Sequence, residues 1–344
     1  MLPGSNLSAY VPIVLILIFK IYLFKETYSA AHYLFLFIMT SISIVFLLNH
    51  LSDNYNLYYI NFVLIGLAPF VFRDIIRLID TVDRNLMIYY LLSFIICTPV
   101  ILKLFIFGER GNFIFGPNVY YRIILFNFAL IIVSKSKFNL VQLFFMVTAT
   151  ASTLSRGGFV AMILLLSRNK HFFNSNIIKF FAIFTSVPFI YIYRESLWIA
   201  LTSVRRIFLF SSQLLSDPNS SSGSRIYNWK IFFGYFDKGS FSEYLMGQGP
   251  NNSIYDYYPH NIILENFVYN GVIWGFLSVV SVLFLFIYAF SNKNNSFNKL
   301  AVVLLPVCVG SQFSGSMIEN FPVIAFFAYF LLRRAHESCN SFSI

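Results

Sequence analysis

The stretch "LMIYYLLSFIICTPVILKLFIF" (residues 86–107) decides the fold, because it is predominantly apolar and carries a single charge, Lys103. A transmembrane helix needs about 20 residues of this kind to cross the hydrocarbon core of a bilayer. Runs near this length recur along the chain, at residues 8–24, 30–50, 56–72, 86–107, 118–134, 138–154, 157–167, 176–193, 261–290, 299–315 and 320–332. The runs predict an all-α polytopic membrane protein with about eleven transmembrane helices, in a range of roughly ten to twelve. Within the run at 261–290, Gly271 is expected to be a packing or bending point.

The composition of the whole chain supports this class of protein. Hydrophobic residues make up 58% of the 344 residues and charged residues only 11%, with a mean hydropathy of +0.72. A soluble protein cannot hide so many apolar side chains, because its surface must still carry charge. The formal net charge is +10, which favours anionic lipid and anionic substrates as partners. We therefore expect a lipid bilayer and no nucleic acid.

The sequence indicates no cofactor and no metal site. Cys97 and Cys308 lie inside apolar runs and Cys339 lies in the tail, so their spacing fits neither a disulfide framework nor a metal-ligand motif. The sequence also contains no Gly-rich P-loop.

The basic residues between the apolar runs predict the orientation of the chain. They fall in alternate loops, at Lys25, Arg73, Arg77, Arg84, Lys135, Lys137, Arg168, Lys170, Lys179, Lys293, Lys299, Arg333 and Arg334. Because such residues favour the cytoplasmic side, we expect the N-terminus outside and the C-terminus inside. No small-residue cleavage site follows the first run, which we interpret as a retained helix.

A single long hydrophilic segment, residues 194–259, divides the chain. The expected organisation is one integral membrane domain with N-terminal transmembrane helices (1–193), a large extracytoplasmic loop (194–259), and C-terminal helices with a short cytoplasmic tail (260–344). Apolar residues at three-residue spacing predict a short amphipathic helix at 195–210, and 225–236 can form a second.

This loop is basic although it is predicted to lie outside. Its cations are Arg194, Arg205, Arg206, Arg225, Lys230 and Lys238. Two interpretations remain open. Long loops translocate regardless of their charge, so these basic residues need no special role. Alternatively, they meet an anionic substrate on the outer side.

Two stretches place an arginine inside an apolar run, which costs about 2.5–3.5 kcal/mol on insertion scales. In "SRGG" (155–158), Arg156 either reaches water from a short outer hairpin or faces a polar cavity and holds an anion. In "FGPNVYYRI" (115–123), Asn118 can cap the helix that follows Pro117. Capping does not explain Arg122, which lies about one turn inside the span.

The third polar stretch is "PHNIILEN" (259–266), at the head of a long apolar run. A lone histidine near an interface is usually a hydrogen-bonded polar residue, but His260 lies beside Asn261, with Glu265 one turn later. Histidine is the side chain best suited to transfer a proton near neutral pH. A glutamate at the end of a span is costly unless it is paired. With Arg225 and Trp229 in the loop, these residues suggest handling of a membrane-bound phosphate or diphosphate.

Five stretches together resemble the O-antigen polymerase and O-antigen ligase superfamily of bacterial envelope glycan enzymes. They are "FGPNVYYRI" (115–123), "SRGG" (155–158), "GSRIYNW" (223–229), "GQGPNN" (247–252) and "PHNIILENFVYNGVIWG" (259–275), in the family's order. The resemblance covers roughly residues 85–280, and the histidine stretch is the most specific part of it.

The resemblance implies a glycosyltransferase-type enzyme of the bacterial inner membrane whose active site faces the periplasm. Its substrate would be an undecaprenyl-diphosphate-linked oligosaccharide, joined without a metal or other cofactor and with inversion at the anomeric carbon. A chain-length regulator protein is a further candidate partner. By position, Arg156 and Arg225 would bind the diphosphate and His260 would assist the acceptor hydroxyl.

The resemblance also implies further substrate-binding residues, and three alternatives to a polymerase remain. The substrate-binding candidates are Asn118, Arg122, Glu195, Trp229, Asn261 and Glu265. A polymerase joins repeat units to each other, whereas a ligase transfers glycan to lipid A-core. Trp274 stands where the ligase form of the motif has a small residue, which favours a polymerase. A transporter or flippase and a non-catalytic assembly protein remain as other classes.

Overall fold

The computed structural model describes residues 30–49, 59–107, 117–134, 140–153, 155–168, 240–249, 261–291, 295–313 and 317–341, with a few further positions between 227 and 234. In these ranges the regular elements are helices and there is no strand. The predicted runs at 8–24 and 176–193 and most of the predicted loop at 194–259 lie outside the described residues.

Eleven α-helices of six or more residues occur in the described ranges. They are α1 Ala30–Asn49, α2 Ile60–Thr81, α3 Leu86–Phe107, α4 Pro117–Val133, α5 Leu140–Ser152, α6 Arg156–Arg168, α7 Phe241–Met246, α8 Ile262–Asn270, α9 Val272–Phe290, α10 Ser296–Gly310 and α11 Met317–Ser341. A short 3₁₀ turn, Val82–Arg84, joins α2 to α3. The predicted run at 86–107 matches α3 at both ends.

Three of the described helices are long and apolar enough to cross a membrane. Their apolar segments are Ala30–Leu48, Leu86–Leu104 and Val272–Phe290, and shorter apolar helices occur at Asn118–Val133, Gly157–Arg168 and Ser296–Gly310. Side chains on α1 and α3 point outward in agreement with this, since Phe37 is 69% and Met87 79% exposed. In its described ranges the chain is therefore all-helical, with helices suited to a bilayer.

One predicted run is wrong as a single helix. The apolar run at 261–290 is divided at Gly271 into α8 and α9, because this residue has φ 86° and ψ 176° and cannot continue a helix. A positive φ of this kind is readily adopted only by glycine. Gly275 then lies against the Phe267 ring, so α8 packs closely on the first turn of α9.

The interior of the bundle is formed around α10. This helix packs against α9, α4, α6, α11 and α2, and every residue from Leu300 to Pro306 is buried. A helix that is apolar on all sides is expected to be enclosed by other helices. Other helices therefore surround α10, and several of them begin or end beside its two ends.

At one end of the bundle, Arg168 joins three helices. Its Nε donates to the Ala289 carbonyl at 2.8 Å, and its Nη2 donates to the Ser291 carbonyl at 3.1 Å and to Asn298 Oδ1 at 3.2 Å. Asn298 Nδ2 in turn donates to the Tyr288 and Ser291 carbonyls. A cation at this position also interacts favourably with the C-terminal dipole of α9.

Other basic residues that the sequence assigns to the cytoplasm lie at the same end. Lys299 Nζ is 3.8 Å from Asp80 Oδ1 at the end of α2. The Arg333 guanidinium lies 5.0 Å from the centroid of the Phe297 ring in the first turn of α10. The ends of α2, α6 and α9 therefore lie beside the start of α10, as does the part of α11 around Arg333.

Arg168→Lys is expected to lower the stability of the bundle by about 1–3 kcal/mol, because one ammonium group cannot reach the three acceptors that the planar guanidinium reaches. Thermal unfolding of the purified protein in detergent measures the change. Arg84→Lys, at an exposed position, is the matched control and should leave the melting temperature unchanged. Equal melting temperatures for both variants would contradict the assigned role of Arg168.

Candidate functional site

The opposite end of the bundle brings together the starts of α4 and α6. Pro117 opens α4, a position that tolerates its missing N–H. A short connection from α5 leads to Ser155, which is buried, and α6 then begins at Arg156. Ser155 Oγ donates to Asn118 Oδ1 at 3.0 Å. The predicted stretches "FGPN" and "SRGG" are therefore joined by a direct hydrogen bond.

The glycines of "SRGG" allow the Tyr121 ring to pack on α6. Tyr121 is fully buried. A Cβ atom added to Gly157 would lie 2.7 Å from the Tyr121 hydroxyl oxygen, and one added to Gly158 would lie 2.9 Å from Tyr121 Cγ. The hydroxyl has no hydrogen-bond partner among the described residues. The close approach that these glycines permit is thus made by an aromatic side chain of α4.

Arg122 extends from α4 towards the last residue of α10. Its side chain is only 6% exposed, and its Cζ lies 6.0 Å from the centroid of the Tyr121 ring. A Cβ atom added to Gly310 would lie 2.5 Å from Arg122 Nε and 2.6 Å from the Tyr121 hydroxyl oxygen. As expected, Arg122 lies between one and two turns inside an apolar helix. A buried guanidinium attracts anions strongly, because little water screens its charge.

The four residues Gly310–Phe313, which we call the 310–313 turn, connect this arginine to the start of α8. The Ile262 amide donates to the Ser311 carbonyl at 2.9 Å, and Asn261 Nδ2 donates to Gln312 Oε1 at 3.2 Å. Gly310 lies against Arg122, and Phe313 Cβ lies 3.3 Å from the Cβ position of Gly157. The three predicted polar stretches therefore meet around one turn.

Asn261 has a structural role that the sequence did not distinguish from ligand binding. Its Oδ1 accepts from the amides of Ile263 at 2.9 Å and Leu264 at 3.1 Å. This is the ordinary geometry of a helix N-cap, which satisfies two of the amides that a helix start leaves open. Its assignment as a substrate-binding residue remains a prediction.

Three of the buried residues of α8 are polar. Glu265 and Asn266 are fully buried, as is Asn270. Asn266 Nδ2 donates to the Ile262 carbonyl at 2.9 Å, and Asn270 Nδ2 donates to Asn266 Oδ1 at 2.8 Å. Glu265 lies in the first turn of α8, where the helix dipole favours a negative charge. A carboxylate and a row of amides thus extend inward from the 310–313 turn.

The short helix α7 attaches the end of the predicted loop to this region. The Ser240 amide donates to Glu243 Oε2 and the Glu243 amide donates to Ser240 Oγ, which together form a capping box. Hydrogen bonding to the Glu243 carboxyl, first from the Ser240 backbone amide and then from the Ser240 side chain, lowers the pKa of that carboxyl. After α7, the Gln248 amide donates to the Val268 carbonyl at 2.8 Å. This helix packs on α8 but is neither of the two short helices expected in the loop. The one expected at 195–210 lies outside the described residues, and helical positions at 227, 229–231 and 234 fall within the one expected at 225–236.

The structure describes only part of the predicted site. Asn118, Arg122, Asn261 and Glu265 lie around or near the 310–313 turn. Arg156 is the first residue of α6, but its side chain lies outside the described residues, as do the whole residues Glu195, Arg225 and His260. Trp229 is partly buried in a helical segment at 229–231.

The 310–313 turn itself was not predicted. The apolar run at 299–315 suggested one continuous helix through these residues, whereas α10 ends at Gly310. The polar sequence "GSQFSGS" (310–316) between two apolar runs was a signal for this turn. Its contact with Asn261 spans 51 positions of sequence, which local patterns do not reveal.

The fold and this polar cluster together indicate a class of protein, namely a helical membrane protein with a buried cation at one end of its helix bundle. No protein-family model, curated protein or solved structure matches the chain. The resemblance drawn from the sequence motifs therefore remains a prediction, and the function is argued from the site.

Gly157→Ala is expected to destabilise the protein by about 1–3 kcal/mol, because the new methyl group meets the buried Tyr121 hydroxyl. Tyr121→Phe removes that hydroxyl and should recover most of the loss, as a double-mutant cycle of thermal unfolding would measure. Gly158→Ala is the matched control, since its methyl group meets Tyr121 Cγ, which Tyr121→Phe retains. Equal recovery in both backgrounds would contradict this packing.

Proposed function

We propose that the protein polymerises undecaprenyl-diphosphate-linked oligosaccharide repeat units into O-antigen or capsular polysaccharide. The reaction is an inverting glycosyl transfer on the periplasmic face of the bacterial inner membrane. The observation that carries the proposal is that described residues of the three polar stretches (Asn118, Ser155, Gly157 and Asn261) lie around one turn, beside the buried Arg122. Residues that are distant in sequence are thus close in space, as a shared substrate site requires.

The electrostatics of this location suit a lipid diphosphate. Arg122 contributes a cation with little exposure to water, and the start of α6 contributes amides and the positive end of a helix dipole. Arg156 begins that helix, and Arg225 is the second arginine assigned to the diphosphate by the motif resemblance. Guanidinium groups in a poorly hydrated site stabilise the charge that develops on a leaving diphosphate. The proposed transfer therefore needs no divalent metal.

The proposed transfer also needs a base. The acceptor hydroxyl attacks the anomeric carbon and forms the new glycosidic bond, while the bond from that carbon to the diphosphate oxygen breaks. The electron pair of the broken bond leaves with the diphosphate, and the hydroxyl proton passes to His260, the residue before the N-cap Asn261. Glu195, Trp229 and Glu265 are proposed to orient the sugars.

Deletion of the gene, followed by gel analysis of surface polysaccharide, tests this function. We expect loss of long chains while a single repeat unit is still transferred to lipid A-core. Loss of every repeat unit from lipid A-core would instead identify a ligase. An unchanged pattern of chain lengths would contradict both enzymatic functions.

A further inference from the structure

The side chain of Gln312 is held at both of its polar ends. Its Oε1 accepts from Asn261 Nδ2 at 3.2 Å, and its Nε2 donates to Ser311 Oγ at 2.8 Å. Ser311 is fully buried, and its Oγ donates to the Cys308 carbonyl at 2.6 Å. Gln312 therefore connects the start of α8 to Ser311, and the Ser311 hydroxyl is in turn bonded to the last turn of α10.

The backbone around Gln312 is also fixed. The Ser311 amide donates to the Val307 carbonyl at 2.8 Å, and the Gln312 amide donates to the Val309 carbonyl at 3.1 Å. The Ser311 carbonyl accepts from Ile262 at 2.9 Å. The bond from the Ile262 amide to Ser311 and the bond from the Asn261 side chain to Gln312 thus set the distance between α8 and the 310–313 turn.

The same turn sets the place of the buried cation. Gly310 leaves space for Arg122 Nε and for the Tyr121 hydroxyl, because it carries no side chain. Arg122 on one side and Asn261 on the other therefore contact consecutive parts of a single four-residue segment. A displacement of this segment changes the position of α8 relative to Arg122.

We propose that Gln312 is a positioning residue of the candidate site. It holds Asn261, and with it the start of α8, at a fixed distance from Arg122. This inference rests on the proposed function, because the geometry it maintains is that between Arg122, the proposed anion-binding residue, and Asn261 at the start of α8. Gln312 touches no reacting atom in this account and acts through Asn261.

The test compares two substitutions of Gln312 in the full-length protein reconstituted in liposomes. The substrate is the single-repeat, carrier-linked oligosaccharide extracted from a deletion strain. Gln312→Leu removes both hydrogen bonds, and we expect kcat to fall on the order of 100-fold, as for a misplaced catalytic group. KM should change by less than about threefold, because the anion-binding cations are retained. Gln312→Glu keeps the acceptor for Asn261 and should recover most of the lost kcat.

Asn298→Leu supplies the matched control at the other end of α10. Asn298 is a buried amide that also joins α10 to its neighbours by hydrogen bonds. Its loss should lower the melting temperature while kcat per folded protein stays at the wild-type value. A fall in kcat for Asn298→Leu equal to that for Gln312→Leu would overturn the positioning role, since any loss of stability would then have the same effect.

The outcomes separate this inference from the proposed function. Wild-type protein that fails to extend the carrier-linked repeat would contradict the proposed function itself. Active wild-type protein with an unchanged kcat in Gln312→Leu would overturn the inference alone. Failure of Gln312→Glu to recover kcat would also overturn it, because the acceptor for Asn261 is present in that variant.

Discussion

Gly271→Ala is expected to remove most of the folded protein. The glycine has φ 86° and ψ 176°, a conformation that alanine adopts only at a cost of about 1–3 kcal/mol. A Cβ atom there would also overlap the Leu245 carbonyl oxygen and lie 2.8 Å from the Gly247 amide nitrogen. Both neighbours are backbone atoms, so no side-chain rotation relieves the overlap. The backbone strain and the overlap together cost a large part of the roughly 5–15 kcal/mol that stabilises a typical protein.

Size-exclusion chromatography of a fluorescent fusion in detergent measures this effect as the yield of monodisperse protein. Gly234→Ala is the matched control, because a Cβ atom at that glycine has no heavy atom within 4 Å. We expect the control to match the wild type in yield and in melting temperature. A Gly271→Ala variant with wild-type yield and stability would contradict the helix break and the contact between α7 and α8.

Arg122→Met is expected to abolish polymerisation. Methionine retains most of the volume of the buried arginine side chain but not its charge. The lost charge removes electrostatic stabilisation of the leaving diphosphate, which is worth roughly 100- to 1,000-fold in rate for a single well-placed group. Arg122→Lys keeps the charge but not the planar group, so we expect only partial recovery.

Gel analysis of surface polysaccharide in the complemented deletion strain measures this result, with immunoblotting to confirm that each variant reaches the membrane. Arg84→Gln, at the exposed 3₁₀ turn near the other end of the bundle, should give wild-type chain lengths. Wild-type chain lengths in Arg122→Met would contradict the assigned role of the buried cation.

The helices were largely predictable because apolarity is a local property. The run at 86–107 coincides with α3, and the runs at 30–50 and 118–134 lie within one residue of α1 and α4 at each end. The sequence predicted a packing or bending point at Gly271 but not a complete helix break, since the break depends on α7, a neighbour from another part of the chain. The boundary at Gly310 was missed although "GSQFSGS" (310–316) is a local signal for a turn, because the apolar run was extended through these polar residues to position 315.

The sequence predicted which residues belong to the candidate site better than it predicted what each of them does. The sequence identified Asn118, Arg122 and Asn261 as polar residues in costly places, and these lie around one turn. It did not show that Asn261 caps α8, because an amide that caps a helix and an amide that binds a sugar have the same local sequence. It also missed Gln312, whose partner is far away in the chain.

The central claim is that this protein alone joins carrier-linked repeat units. Purified protein in liposomes, supplied with single-repeat undecaprenyl-diphosphate oligosaccharide, tests the claim by gel separation of the products. We predict a ladder of longer carrier-linked oligosaccharides, with release of undecaprenyl diphosphate and without lipid A-core. Repeats that remain single in the presence of folded protein would contradict the account.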